Sequence, residues 1–177
     1  MRLSVLISCF IILGCCCTHG QETSTLHQSI NIYAQQSGFD GAVLVAHNDS
    51  LIYQHAFGLR HAQSGAPFTL TTPSYVASLT KQMISALVLQ LVEQGEWRLS
   101  DPIGWYLRQL PPWARGLTIS QLLSHQTGLP EYAFYIQNYK GFNNMRVFEI
   151  LERCHGLGFT PGAAFSYSNT SYVLLAE

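Results

Sequence analysis

The chain has 177 residues, enough for one domain with at most a small sub-domain. Hydrophobic residues make up 47% and charged residues 11%, a globular composition and not a disordered one. The formal net charge is −1 with no basic block, which excludes a nucleic-acid-binding face, and no acidic run, low-complexity tract or internal repeat is present.

The N-terminus reads MRLSVLISCFIILGCCCTHGQE. Arg2 precedes an apolar run from Leu3 to about Cys17, short for a membrane span, which needs roughly 20 apolar residues. Residues 1–20 therefore read as a secretory signal peptide, with an uncleaved helical anchor as the alternative. Two processing routes compete. ILGC resembles a bacterial lipoprotein box, with cleavage before a lipidated Cys15 that would attach the protein to a membrane, whereas THG suits ordinary cleavage after Gly20. The lipoprotein route also accounts for a cysteine at that spot. Either way the protein is expected outside the cytoplasm, periplasmic or lipid-anchored. Four of the five cysteines lie in this segment, so Cys154 has no partner for a disulfide framework. Beside His155 it is expected to be a buried structural thiol and not a nucleophile.

Residues Ser24 to Ser37 suit a helix, with Leu26, Ile30 and Tyr33 spaced for one face. Two apolar runs then flank Asn48-Asp49, which is turn chemistry, and predict a β-hairpin. Leu59 to Pro73 reads as a connecting loop. A helix carrying Ser78 should begin after Pro73 and stop near Gln94, where Gly95 supplies a C-terminal signal. Ser100 and Asp101 can cap a short helix with Pro102 in its first turn, ended by Pro111-Pro112. Further helices fit Ser120 to Ser124, broken at Gly128-Leu129-Pro130, and Met145 to Cys154. Pro161-Gly162 marks a turn, and a last helix starts near the final residues. A hairpin followed by helices predicts an α+β fold.

Within PSYVASLTKQMISALVLQLVEQG, Lys81 has no formal charge nearer than Arg60 and Glu93, and it is one of two lysines in the chain. Lysine is almost never fully buried unpaired. Ser78 stands three residues before it, on the same face if the segment is helical. A serine hydroxyl is a weak nucleophile that needs a base, and a desolvated lysine can be one, because burial disfavours the ammonium. At a helix start, the serine amide can also serve as an oxyanion donor. Downstream, Tyr167-Ser168-Asn169 puts a phenol and an amide two residues apart on an expected loop. A phenol near a cation is stabilised as phenolate and can relay a proton, and the amide can bond both the lysine and a substrate carbonyl.

Ser78-Leu79-Thr80-Lys81 followed by Tyr167-Ser168-Asn169 resembles the serine β-lactamase and penicillin-binding protein superfamily. Tyrosine in the second motif is similar to the class C β-lactamase, D-alanyl-D-alanine carboxypeptidase and esterase branch. LVEQGEWRLSDPIGWYL, LTISQLLSHQTGLPEY and TPGAAFSYSNTSYVLLAE look like that family too, so the likeness runs from about Gly41 to the end. The resemblance implies a β-lactamase/transpeptidase-like fold: an antiparallel sheet flanked by helices plus a helical sub-domain. It implies that Ser78 is acylated, Lys81 activates it, Tyr167 relays the proton and Asn169 positions the substrate. Lysine and tyrosine both stay open as the formal base. His125, in the family's SHQTG segment, is expected to have a structural loop role. No cofactor is implied, and no metal set such as His-Glu-x-x-His occurs.

The family's third motif, a Lys-Thr-Gly or His-x-Gly on a late strand, does not follow Asn169. Residues 21–177 accordingly read as the N-terminal part of a longer serine hydrolase domain, inactive on its own. The expected activity is hydrolysis of an ester, a peptidoglycan-type D-Ala peptide or a β-lactam through an acyl-enzyme. The rival readings are a penicillin-binding or sensor module that does not turn over, and a non-catalytic relative.

Overall fold

The computed structural model describes residues 19–136 and 140–177, so Cys15 and the expected export segment up to Thr18 lie outside the described residues. Contacts divide the chain into two compact units at Ser74/Tyr75.

In the first unit, α1 (His19–Ser37) starts before the expected Ser24. The strands β1 (Gly41–His47) and β2 (Ser50–Phe57) form the expected antiparallel hairpin, paired from Gly41↔Phe57 to Val45↔Tyr53 and, after a shift of register between Val45 and Ala46, from Ala46↔Leu51 to His47↔Ser50. Asn48 and Asp49 turn the chain at φ 46° and 61°. A two-residue turn with both φ positive matches the right-handed twist of its strands, and Asn and Asp tolerate that region best among residues with side chains. Tyr53 and Phe57 point to one face of β2, where Ala34 of α1, Val43 and Val45 pack. Two hydrogen bonds pin the helix to that strand: Tyr53 OH donates to Asn31 Oδ1 (2.7 Å) and His27 Nε2 meets the Ile52 carbonyl (2.7 Å). The stretch expected as a loop after Leu59 contains a second small sheet, β3 (Leu59–His61) antiparallel to β4 (Ala66–Pro67). No helix among the described residues is long and apolar enough to cross a membrane.

The second unit opens with a correction. Ser78 is not inside an α-helix but on a 3₁₀ turn, Ala77–Leu79, that leads into α2 (Thr80–Glu93). Ala77 lies at φ 48°, in the left-handed region, so helical geometry cannot run back through it. The end of α2 is as expected. Gly95 takes φ 78°, its N–H donates to the Val92 carbonyl (3.1 Å), and the Glu96 N–H reaches the Leu91 carbonyl (3.0 Å).

The short helix expected after Ser100-Asp101 is also replaced. Pro102 is extended (ψ 130°) and bridges antiparallel to Thr118, leaving only a 3₁₀ turn at Ile103–Trp105. Asp101 is buried and caps nothing helical; its carboxylate accepts from the Arg98 N–H and the Tyr106 hydroxyl, both at 2.8 Å. Local cap chemistry lost to pairing with the segment ahead of α3.

The helix α3 (Ile119–Leu123) has five residues and starts one earlier than expected, because Thr118 caps it. Thr118 Oγ1 accepts from the Gln121 N–H (3.2 Å) and Gln121 Oε1 accepts from the Thr118 N–H (3.0 Å), a reciprocal box that stabilises so short an element. The amphipathic α4 (Met145–Arg153) buries Val147, Phe148 and Leu151, one helical face. The last helix, α5 (Asn169–Ala176), is capped by Ser168 Oγ, which accepts from the Ser171 N–H (3.0 Å). Asn169 is thus its first residue and not part of a loop. Leu110, Leu117, Ile119, Leu122, Leu151 and Leu174, each at most 1% exposed, centre the core of this unit. Packing of α5 against both α2 and α3 brings its N-terminus to the first turn of α2.

Candidate active site

Lys81, the lone charge on its stretch of chain, sits half-buried on the first turn of α2. Its Nζ donates to Asn169 Oδ1 at 2.7 Å and to Ser78 Oγ at 3.3 Å. It also lies 4.9 Å from the centroid of the Tyr167 ring and 5.7 Å from that of Tyr172, distances at which an aromatic face attracts a cation. The Tyr172 ring is fixed in turn. Its hydroxyl donates to the Leu123 carbonyl (3.0 Å) and receives the Ser85 hydroxyl (2.9 Å).

Ser78 is exposed, and its Oγ also accepts from the Tyr167 hydroxyl at 2.9 Å. The four residues singled out in the sequence are therefore joined in one hydrogen-bonded chain, Tyr167 to Ser78 to Lys81 to Asn169, across separations of 88 and 89 residues. Burial pushes the Tyr167 phenol up, but hydrogen bonding with Lys81 and Ser78 and the lysine charge outweigh it. The net result is a phenol below its ordinary value, although Glu131 opposes the shift. Lowering a phenol's pKa beside a serine hydroxyl is what proton abstraction at moderate pH requires.

His125 holds the Tyr167 segment from behind. Its Nδ1 accepts from the Ser168 N–H (3.1 Å), its carbonyl accepts from the Ser166 N–H (2.9 Å), and its ring lies 4.6 Å from that of Tyr167. An accepting Nδ1 places the proton of the neutral ring on Nε2. Burial first, then the Lys81 charge, push His125 below its ordinary value against the pull of Glu131, which favours that neutral form. A structural loop role is the geometry seen. Cys154, expected to be buried, is only half-buried at the end of α4 and takes no part in these contacts.

Sequence reasoning missed Glu131. Its Oε2 accepts from the Asn169 N–H (2.7 Å) and its Oε1 from Asn169 Nδ2 (3.1 Å). A signal existed: Glu131 is the only formal charge between Arg115 and Lys140, the same isolation that marked Lys81. Thr170 was missed as well. It is fully buried, donating from Oγ1 to the Pro130 carbonyl (2.7 Å) and accepting from the Tyr132 N–H (2.9 Å), so it ties the loop carrying Glu131 to α5.

A family model described as Beta-lactamase matches residues 29–177. The chain belongs to the beta-lactamase family. It is 32% identical over 144 residues to penicillin-binding protein 4* of Bacillus subtilis (strain 168), covering 78% of this chain and 31% of that protein. To esterase EstB of Burkholderia gladioli it is 32% identical over 146 residues, with coverage of 72% and 37%. The chain thus spans about a third of the length of these curated relatives. Among solved structures, FmtA from Staphylococcus aureus matches with a TM-score of 0.72 at 26% identity, covering 84% of this chain and 41% of that one. A class C beta lactamase matches with a TM-score of 0.70 at 21% identity and coverage of 89% and 44%, a likeness of fold. The α+β arrangement of helices and antiparallel strands is accordingly a β-lactamase/transpeptidase fold.

Proposed function

We propose that the protein is an exported serine hydrolase that works through an acyl-enzyme on Ser78. The observation that carries the proposal is the double contact on Ser78 Oγ, from the Tyr167 hydroxyl at 2.9 Å and Lys81 Nζ at 3.3 Å. Ser78 Oγ attacks the substrate carbonyl as its proton passes to Tyr167, and the Ser78 N–H faces the developing oxyanion. The proton then passes to the departing amine or alcohol as the bond to it breaks. Water attacks the resulting ester, releasing the acid and restoring the Ser78 hydroxyl. Lys81 stabilises the phenolate, and Asn169 holds Lys81. An ester or a D-alanyl amide suits this chemistry, in keeping with relatives named as an esterase and as a teichoic acid D-alanine hydrolase. The apolar N-terminus with Cys15 supports export, by lipidation or ordinary cleavage.

In the intact protein, a fluorophosphonate or a fluorescent penicillin should form an adduct that peptide mass spectrometry maps to Ser78. An adduct on another serine overturns the assignment, and a Ser78 adduct that persists without turnover favours a penicillin-binding module.

The Tyr167 hydroxyl lies 2.9 Å from Ser78 Oγ, nearer than Lys81 Nζ at 3.3 Å, and its phenol is lowered, which together support tyrosine as the proton acceptor. A group acting as base works only when deprotonated, so the rate should climb as pH rises through its pKa. The labelling rate should therefore rise with a midpoint below the ordinary tyrosine value of about 10. Tyr167→Phe should remove that rise; the same limb surviving in the phenylalanine variant would assign it to Lys81.

A further inference from the structure

We propose that Glu131 is a positioning residue for Ser78 chemistry: its carboxylate sets the Asn169 amide so that oxygen, and not nitrogen, faces Lys81. The inference rests on the functional reading above. The two ends of an asparagine amide have nearly the same shape, so only their partners decide which end points where. An ionised carboxylate can only accept. Glu131 Oε1 therefore holds the Nδ2 end, at 3.1 Å, and leaves Oδ1 to accept from Lys81 Nζ at 2.7 Å. The flipped amide would set donor against ammonium at one end and acceptor against carboxylate at the other.

Glu131 is itself held. Its Oε2 accepts from the Asn169 N–H at 2.7 Å and, at 3.4 Å, from the Thr170 N–H. The residues on either side of it, Pro130 and Tyr132, both bond the one Thr170 hydroxyl. A carboxylate fixed at both oxygens and on both backbone flanks transmits its position through Asn169 to Lys81 Nζ, which lies 3.3 Å from Ser78 Oγ. A plain N-terminal cap for α5 needs only the Oε2 bonds. The Oε1 bond to a side chain that touches Lys81 is the part a cap does not require.

A double-mutant cycle separates the two roles, read by the labelling rate at Ser78 and by the thermal midpoint of the intact protein. In Glu131→Gln, an oxygen kept on the backbone N–H groups turns the new NH₂ toward Asn169 Nδ2, and labelling should fall about a hundredfold, the cost of a group misplaced by roughly an ångström. In Asn169→Asp, two carboxylates meet, and labelling should also fall. Together the changes restore the pattern: the introduced glutamine donates to one oxygen of the introduced aspartate, while the other oxygen accepts from Lys81. The double variant should label at least about tenfold faster than Asn169→Asp alone. Should a single variant fail to fold, the labelling rate of the folded double variant decides: a rate within about tenfold of wild type supports positioning, and a loss of about a hundredfold in a double variant with the wild-type thermal midpoint overturns it. A double variant no faster than Asn169→Asp, in a protein whose wild type labels at Ser78, overturns the inference and leaves Glu131 as a cap. A wild type that never labels at Ser78 overturns the functional reading instead.

Discussion

Lys81→Ala should slow covalent modification of Ser78 by about 10²–10⁴-fold, the range over which a positioned proton-transfer group acts, while Ser78→Ala should abolish it. The lysine change removes three things together. The Nζ contact with Ser78 Oγ at 3.3 Å is lost, and so is the anchor on Asn169 Oδ1 at 2.7 Å. The largest consequence runs through Tyr167. Lys81 supplies both a hydrogen bond and a charge that lower the phenol, against burial and Glu131, which raise it. With Lys81 gone the raising influences dominate, and less phenolate exists at any pH below the new value. The alanine variant should therefore be slow at neutral pH and recover part of its rate only in strong alkali. Pseudo-first-order labelling measured across pH checks both statements. A Lys81→Ala variant labelled at the wild-type rate would remove lysine from the chemistry and leave it a packing residue. Lys81→Arg should not restore the rate, because the longer, planar guanidinium carries its donors in a rigid fork and cannot occupy the position of the compact ammonium between Ser78 and Asn169.

The second large effect is on stability. Leu174→Ala should lower the stability of the intact protein by about 2–5 kcal/mol, the cost of removing buried methyl groups and leaving a cavity. Leu174 is 1% exposed in the core that α5 shares with α3. Because α5 begins with Asn169, loosening this contact also loosens the hold on Lys81. Denaturant unfolding followed by circular dichroism measures the loss. Full wild-type stability in the alanine variant would mean that α5 is not seated as described.

Much of this was legible in the chain itself, wherever the interaction involved was local. A helix offers contacts three residues apart, so the pairing of Ser78 with Lys81 could be suspected from spacing and from the missing charges around them. Asn48-Asp49 between apolar runs determined the hairpin, because those two residues accept positive φ more readily than most. Gly95 determined the end of α2 for the same steric reason.

Tertiary structure decided the rest. Nothing near Ala77 in sequence demands its left-handed backbone, which lifts Ser78 out of the helix onto a 3₁₀ turn. Ser100 and Asp101 had the chemistry of a helix cap, yet the backbone beside them pairs with residues 117–119, and Asp101 turns to Arg98 and Tyr106. Glu131 shows the limit most clearly. Its lone charge could be noticed, but its partner lies 38 residues away, and Lys81 lies a further side chain beyond. Composition and spacing report what a residue can do with neighbours a few positions along the chain. Which distant acceptor meets which donor depends on how α2, α3 and α5 pack, and that is settled by the buried leucines between them.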